Sequence, residues 1–182
     1  MRKNRIKIIA IPGSTRKNST NHRLINAIKE MSKDIFEIRI YSRISFLPQF
    51  NPDENNMKAL QEVDQFRNLL GEADGVIICT PEYAHGVLGS LKNAIDWTVG
   101  TSNFSHKPTM LITAGKNGHQ ALLETLRVIE AKDIDHLHLL ISFAATKVSL
   151  DNKITDEKTL GEVKGLIFNF ERSIRDSSLE LE

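Results

Sequence analysis

The sequence holds a single cysteine, Cys79, in 182 residues. No internal disulfide can form, and a zinc site built from several cysteines is excluded. That scarcity fits a reducing, cytoplasmic setting. No stretch reaches the roughly 20 apolar residues that a bilayer span requires, and the beginning lacks the long apolar core of a signal peptide. A membrane is therefore not an expected partner. Charge of one sign is lacking as well: 24 Lys and Arg stand against 23 Asp and Glu, for a net charge of +1. No basic block is interleaved with aromatics in the manner of a nucleic-acid groove, so nucleic acid is not expected either. Internal repeats and low-complexity linkers are absent.

What is there is ordinary globular composition, 40% hydrophobic and 26% charged. The length suits one packed domain. Residues 1–180 are read as that domain, and Leu181 and Glu182, which follow a polar run, as a tag-junction remnant outside the functional argument.

Strand and helix signals alternate along the chain. Ile6 to Ile11 is a nearly continuous apolar run stopped by Pro12-Gly13, the pattern of a buried strand. Leu24, Ile25, Ile28 and Met31 then recur at helical spacing. A second strand, Phe36 to Tyr41, leads through a stretch with Pro48 and Pro52 to a helix with Met57, Leu60, Val63, Phe66 and Leu70 on one side. Val76 to Cys79 is uniformly apolar, as in a central parallel strand covered on both faces. A third helix is expected around Leu91 to Val99, and a fourth strand over Thr109 to Thr113. A fourth helix shows Leu122, Leu126 and Ile129, and a fifth strand lies within His136 to Val148. Leu160, Val163, Ile167, Phe170 and Ile174 mark the last helix. This alternation predicts an α/β fold, a five-stranded parallel sheet with helices on both faces and right-handed crossovers. Ligands of such sheets bind beyond the carboxyl ends of the strands, where strand order reverses.

The loop after the first strand, Gly13 to Asn21, carries Ser14, Thr15, Arg16, Asn18, Ser19 and Thr20 where a helix begins. Hydroxyls, a guanidinium and the free N–H groups of a helix start suit a phosphate. A plain N-cap would need one such side chain, and this loop offers several. It is not a dinucleotide fingerprint, which requires three glycines, nor a Walker loop, which requires Gly-Lys-Ser/Thr. After the third strand comes Pro81-Glu82-Tyr83-Ala84-His85-Gly86, with Gly89 shortly beyond. Its glycines predict a backbone close to a flat ligand with Tyr83 alongside, although the same residues also make ordinary turns.

Together the two loops resemble the NADPH-dependent FMN reductase family. The first matches Gly-Ser-x-Arg-x-x-Ser-x-Asn through Gly13, Ser14, Arg16, Ser19 and Asn21. The second matches Pro-Glu-Tyr-Asn-Gly-Ser-x-Pro-Gly-x-Leu-Lys-Asn-Ala at Pro81, Glu82, Tyr83, Gly89, Leu91, Lys92, Asn93 and Ala94. Ala84, His85, Gly86 and Leu88 depart from it, standing where the family has Asn, Gly, Ser and Pro. The fourth-strand loop, Thr113 to His119, resembles the family's small-residue loop, with His119 replacing a glycine. The resemblance implies a flavodoxin-like three-layer sandwich of strand order 2-1-3-4-5. It also implies an enzyme that binds FMN through Ser14, Arg16, Ser19, Thr20, Asn21, Pro81, Glu82, Tyr83, Ala84, His85, Gly86, Ala114 and Gly115. NADPH or NADH would be the electron donor and a quinone, free flavin, azo compound or metal oxyanion the acceptor. A homodimer or homotetramer is implied as well.

No side chain is assigned a catalytic role, because hydride chemistry resides on the flavin. Glu82 is expected to order its loop. Cys79 is read as packing. No metal site is expected, since His136 and His138, on one face of the fifth strand, lack a third ligand. Trp97 suits either a subunit interface or its own core. Two other readings stay open: a one-electron carrier like flavodoxin, although such carriers are usually acidic, and a flavin-binding sensor without turnover.

Overall fold

The computed structural model describes residues 5–16, 18–53, 61–116 and 119–179. Five strands, β1 (Ile6–Pro12), β2 (Phe36–Ile40), β3 (Gly75–Pro81), β4 (Thr109–Ala114) and β5 (His138–Leu140), form one sheet. All pairs are parallel, in the order β2-β1-β3-β4-β5. The order turns at β1 and β3, since the chain adds β2 on one side of β1 and the rest on the other. The helices are α1 (Thr20–Met31), α2 (Gln61–Glu72), α3 (Gly89–Asp96), α4 (His119–Val128), α5 (Ala144–Lys147) and α6 (Glu157–Leu179).

Alternation along the central strands divides the core between the two faces. Ile8, Ala10, Ile77, Cys79, Met110 and Ile112 face α1, α5 and α6, packing with Leu24, Ile28, Val163 and Phe170. Ile9, Ile11, Val76, Ile78 and Leu111 face the other way, onto Phe66, Leu70, Leu91, Trp97 and Leu122. β3 is buried from Gly75 to Thr80, which explains its lack of polar alternation. At its start a Cβ on Gly75 would lie 2.8 Å from both Phe170 Cζ and Ile174 Cδ1, so these α6 side chains pack directly against the glycine.

The starts of α1 and α6 carry side-chain caps. Ser19 Oγ accepts from His22 N (3.2 Å) at α1, and Asp156 Oδ1 accepts from Thr159 N (2.9 Å) at α6. Several element limits differ from the sequence expectation. Val99 and Ile129 lie beyond α3 and α4, because apolar spacing continues past the last helical hydrogen bond. The fifth strand is three residues long and is followed by α5 within the same 136–148 stretch. His136 belongs to the turn before β5, so it shares no strand face with His138. Met57 and Leu60 lie outside the described residues, as do Lys17, Asn117, Gly118, Leu181 and Glu182. Trp97 is buried in its own chain, its indole N–H donating to Pro48 O (2.8 Å) and Phe50 meeting it edge-on. Among the described residues, no helix is long and apolar enough to cross a membrane.

Candidate functional site

A cleft of about 640 Å³ opens at the carboxyl ends of β1, β3 and β4. That volume lies within the ordinary range of ligand pockets. Ser14, Arg16, Asn18, Ser19, Thr20 and Asn21 line it from the first loop, Pro81, Glu82 and Tyr83 from the second, and Ala114 and Gly115 from the third. Ten of the thirteen residues chosen from sequence are thereby brought together. Ala84, His85 and Gly86 form the turn just beyond Tyr83 and are not part of the lining.

The first loop is held down tightly. Gly13 N donates to Cys79 O (2.8 Å), and a Cβ on Gly13 would sit 2.2 Å from Thr80 Oγ1. This close approach requires glycine. Ser14 and Asn21 are buried although polar, and Asn21 Oδ1 accepts the Cys79 thiol hydrogen at 3.4 Å. Burial pushes the Cys79 thiol up, so it stays protonated and inert. Ser19 Oγ serves as the cap of α1 and also lies 3.1 Å from His22 Nδ1. Thr20 Oγ1 accepts from Arg23 Nη2 (3.0 Å), while Arg23 Nη1 donates to Val148 O (2.8 Å).

Arg23 borders the cleft, yet no motif pointed to it. Its position three residues after Thr20, on the same helix face, was the available signal. Lys116, Ser142, Phe143, Ala144 and Ala145 also border the cleft; Ser142 and Phe143 come from the segment joining β5 to α5 and Ala144 and Ala145 open α5, a stretch that sequence reasoning left out of the site.

Glu82 joins the second and third loops. Its carboxylate accepts from the backbone N–H of Lys116 and lies 3.0 Å from His85 Nδ1, with the side chain only 11% exposed. A Cβ on Gly115 would fall 2.4 Å from Glu82 Cβ, so the glycine makes room for the carboxylate. The loop-ordering role expected of Glu82 has this geometry behind it. Beyond it, Gly86 N closes a turn on Tyr83 O (2.9 Å), with Ala84 (φ 48°) and His85 (φ 58°) both left-handed. That sign pattern is the one a type I′ turn requires, and it favours Asn-Gly. The expected freedom was placed on Gly86 and Gly89, whereas the left-handed residues here are Ala84 and His85.

His119, at the start of α4, has Nδ1 2.8 Å from Thr113 Oγ1 and Nε2 2.8 Å from His138 Nδ1. Burial, and then the neighbouring His138, lower its pKa to about 4. The ring is therefore neutral near pH 7 and ties α4 to β4 and β5. Among the described residues no group of three or more metal-ligating side chains converges.

The family model for NADPH-dependent FMN reductase matches residues 6–145, which spans all three loops. The chain belongs to that family. As a member of the NADPH-dependent FMN reductase family it is an oxidoreductase that works with FMN and a nicotinamide donor. It is similar to the NADH-dependent flavin reductase subunit 2 of Lactobacillus johnsonii, 29% identical over 94% of this chain and 99% of that protein. It is 35% identical to an NADPH azoreductase from a Bacillus species, in an alignment covering 64% of this chain and 65% of that one. Among solved structures, the flavoenzyme NAD(P)H:(acceptor) oxidoreductase FerB of Paracoccus denitrificans superimposes with a TM-score of 0.70 at 26% identity, covering 94% and 98% of the two chains.

The cleft of this family member fits FMN on its own evidence. A phosphate needs N–H donors and positive charge, and the lining combines the start of α1 with Arg16 and Arg23. Arg23 Nε is buried and, among the described residues, has no hydrogen-bond partner. A buried donor without a partner is costly, and an anion bound here would remove that cost.

Proposed function

We propose that the cleft binds FMN with its phosphate over the start of α1 and its ring between the second and third loops, and that the protein reduces a small oxidised acceptor at the expense of NADPH or NADH. The observation that carries this reading is the convergence of the α1 start, two arginines and the Pro81–Tyr83 and Ala114–Gly115 segments on one cleft at the sheet's reversal point. FMN, when bound, supplies the chemistry of accepting a hydride from the nicotinamide and passing reducing equivalents onward.

The protein's share is binding and orientation. Ser14, Thr20, Arg16 and the backbone N–H groups opening α1 neutralise the phosphate, with Ser19 fixing the helix start. Backbone groups of Pro81, Glu82, Ala114 and Gly115 border the ring, and the Glu82 carboxylate holds the two loops in register. No side chain is required to act as an acid at the transferring atom, so none is named catalytic. We further propose one domain over residues 1–180, a homodimer or homotetramer in the cytoplasm, and acceptors drawn from quinones, free flavins, azo compounds and metal oxyanions.

The test is anaerobic mixing of the FMN-loaded protein with NADPH and, separately, with NADH, followed by absorbance. Loss of the oxidised flavin band with either donor is the expected result and selects the donor for an acceptor screen. A band that persists with both removes the reductase reading.

A further inference from the structure

The cleft has one wall that its proposed phosphate and ring contacts leave unexplained. Phe143 borders it and is 80% exposed, with φ 55° and ψ 35°. A left-handed conformation is uncommon for any residue other than glycine and a true outlier for a bulky one. Such strain persists only where the surroundings over-determine it. They do so here. Ile141 N donates to Thr113 O (2.9 Å), which fixes the segment to the end of β4. Ala144 is buried in the core, and Thr146 returns both its N–H (3.0 Å) and its hydroxyl (2.9 Å) to Phe143 O. Two residues beyond Thr146, Arg23 grips Val148 O. Folding therefore forces an apolar ring to stand out at the edge of a cleft, where neither core packing nor solubility rewards it.

The second exposed aromatic of the cleft, Tyr83 at 51%, comes from the β3 loop. Phe143 comes from the β5 side, outside the β1, β3 and β4 loops that supply the proposed FMN contacts. A metal oxyanion gains from cations and nothing from a phenyl ring, whereas a planar organic molecule gains area burial and stacking. Resting on the FMN-reductase reading above, we propose that Phe143 is a specificity-determining residue that contacts the acceptor and makes the site select planar aromatic acceptors, such as quinones, over inorganic ones.

The experiment compares wild type with Phe143→Asn, which tolerates the left-handed backbone, and Phe143→Tyr, which keeps a ring. Binding of a 1,4-naphthoquinone to the oxidised FMN-loaded protein is measured by equilibrium dialysis, FMN affinity by fluorescence quenching, and turnover with the naphthoquinone and with ferricyanide. In Phe143→Asn the naphthoquinone should bind about tenfold more weakly, the loss of one aromatic contact, and its KM should rise in step. Phe143→Tyr should bind within about twofold of wild type. FMN affinity and ferricyanide turnover should stay within about twofold in both variants. Unchanged naphthoquinone binding in Phe143→Asn, no binding by wild type, or a parallel loss of FMN affinity overturns the proposal. Failure of the reductase reading is seen separately, as wild type that oxidises neither nicotinamide, while dialysis still reports on Phe143.

Discussion

At the scale of single residues the site is governed by atoms that exclude alternatives. Gly115 leaves space for the Glu82 carboxylate, because any Cβ there would overlap Glu82 Cβ at 2.4 Å. Gly115→Ala must push Glu82 off the Lys116 N–H, which separates the two loops proposed to hold the flavin ring. FMN should bind at least tenfold more weakly, with a stability loss of about 1–3 kcal/mol from overpacking. Fluorescence titration and urea melts read the two effects independently. Arg16→Ala should weaken FMN binding by about 1.5–3 kcal/mol through loss of a charged hydrogen bond, and unchanged affinity would remove Arg16 from the phosphate site. Ala84 runs the other way. Its exposed left-handed backbone favours Asn, so Ala84→Asn should stabilise the fold by about 0.5–1 kcal/mol and raise the melting midpoint by a few degrees in calorimetry. At this scale the loop chemistry was legible because hydroxyls, Arg16 and glycines advertise themselves. Arg23 and Phe143 were not, since a lone arginine on a helix and a lone phenylalanine in a loop acquire meaning only from the cleft they border.

Elements inherit their positions from the sheet. β3 is paired along both edges and covered on both faces, with the α6 side chains of Phe170 and Ile174 packed against Gly75 at its start. Phe170 is the residue through which that contact is made: it is fully buried and meets Phe36 edge-on with ring centroids 5.6 Å apart. Truncating it leaves a cavity between α6 and the sheet. Phe170→Ala should therefore cost about 3–5 kcal/mol, seen as a lower urea midpoint. The 3.6-residue spacing of α6 and the apolar run of β3 made both elements readable in advance. β5 and α5 were harder for a physical reason. An edge strand only three residues long, followed by a four-residue helix, is too short for either periodicity to build up. The segment that carries Phe143 lies between them, which is why part of the cleft wall escaped the sequence.

For the whole molecule, the parallel sheet was the most readable property, because alternating strand and helix signals dictate it; its order, found here as β2-β1-β3-β4-β5, was implied only by the family resemblance, since right-handed crossovers permit other orders. Less readable was the linkage of distant elements by titrating groups. Thr113, His119 and His138 connect β4, α4 and β5, and burial lowers His119 from 6.5 to about 4. Because the folded value is the lower one, the unfolded chain binds more protons between these two values. Stability should then be fully present above about pH 6.5 and decline as pH falls toward about 4. His22, also lowered by burial, adds in the same direction. Asp151 and Asp156 are likewise held below the usual carboxylate range, chiefly by Lys153 and Thr159, and their contributions fade only below that range. The histidine window is thus separable from the carboxylate one. His119 is only partly buried, so its share is on the order of 1 kcal/mol after screening. Urea unfolding at pH 7.5 and pH 5 should show that loss in wild type and a flatter slope in His119→Gln. Equal slopes in the two proteins would mean that the His119–His138 pair does not couple folding to pH.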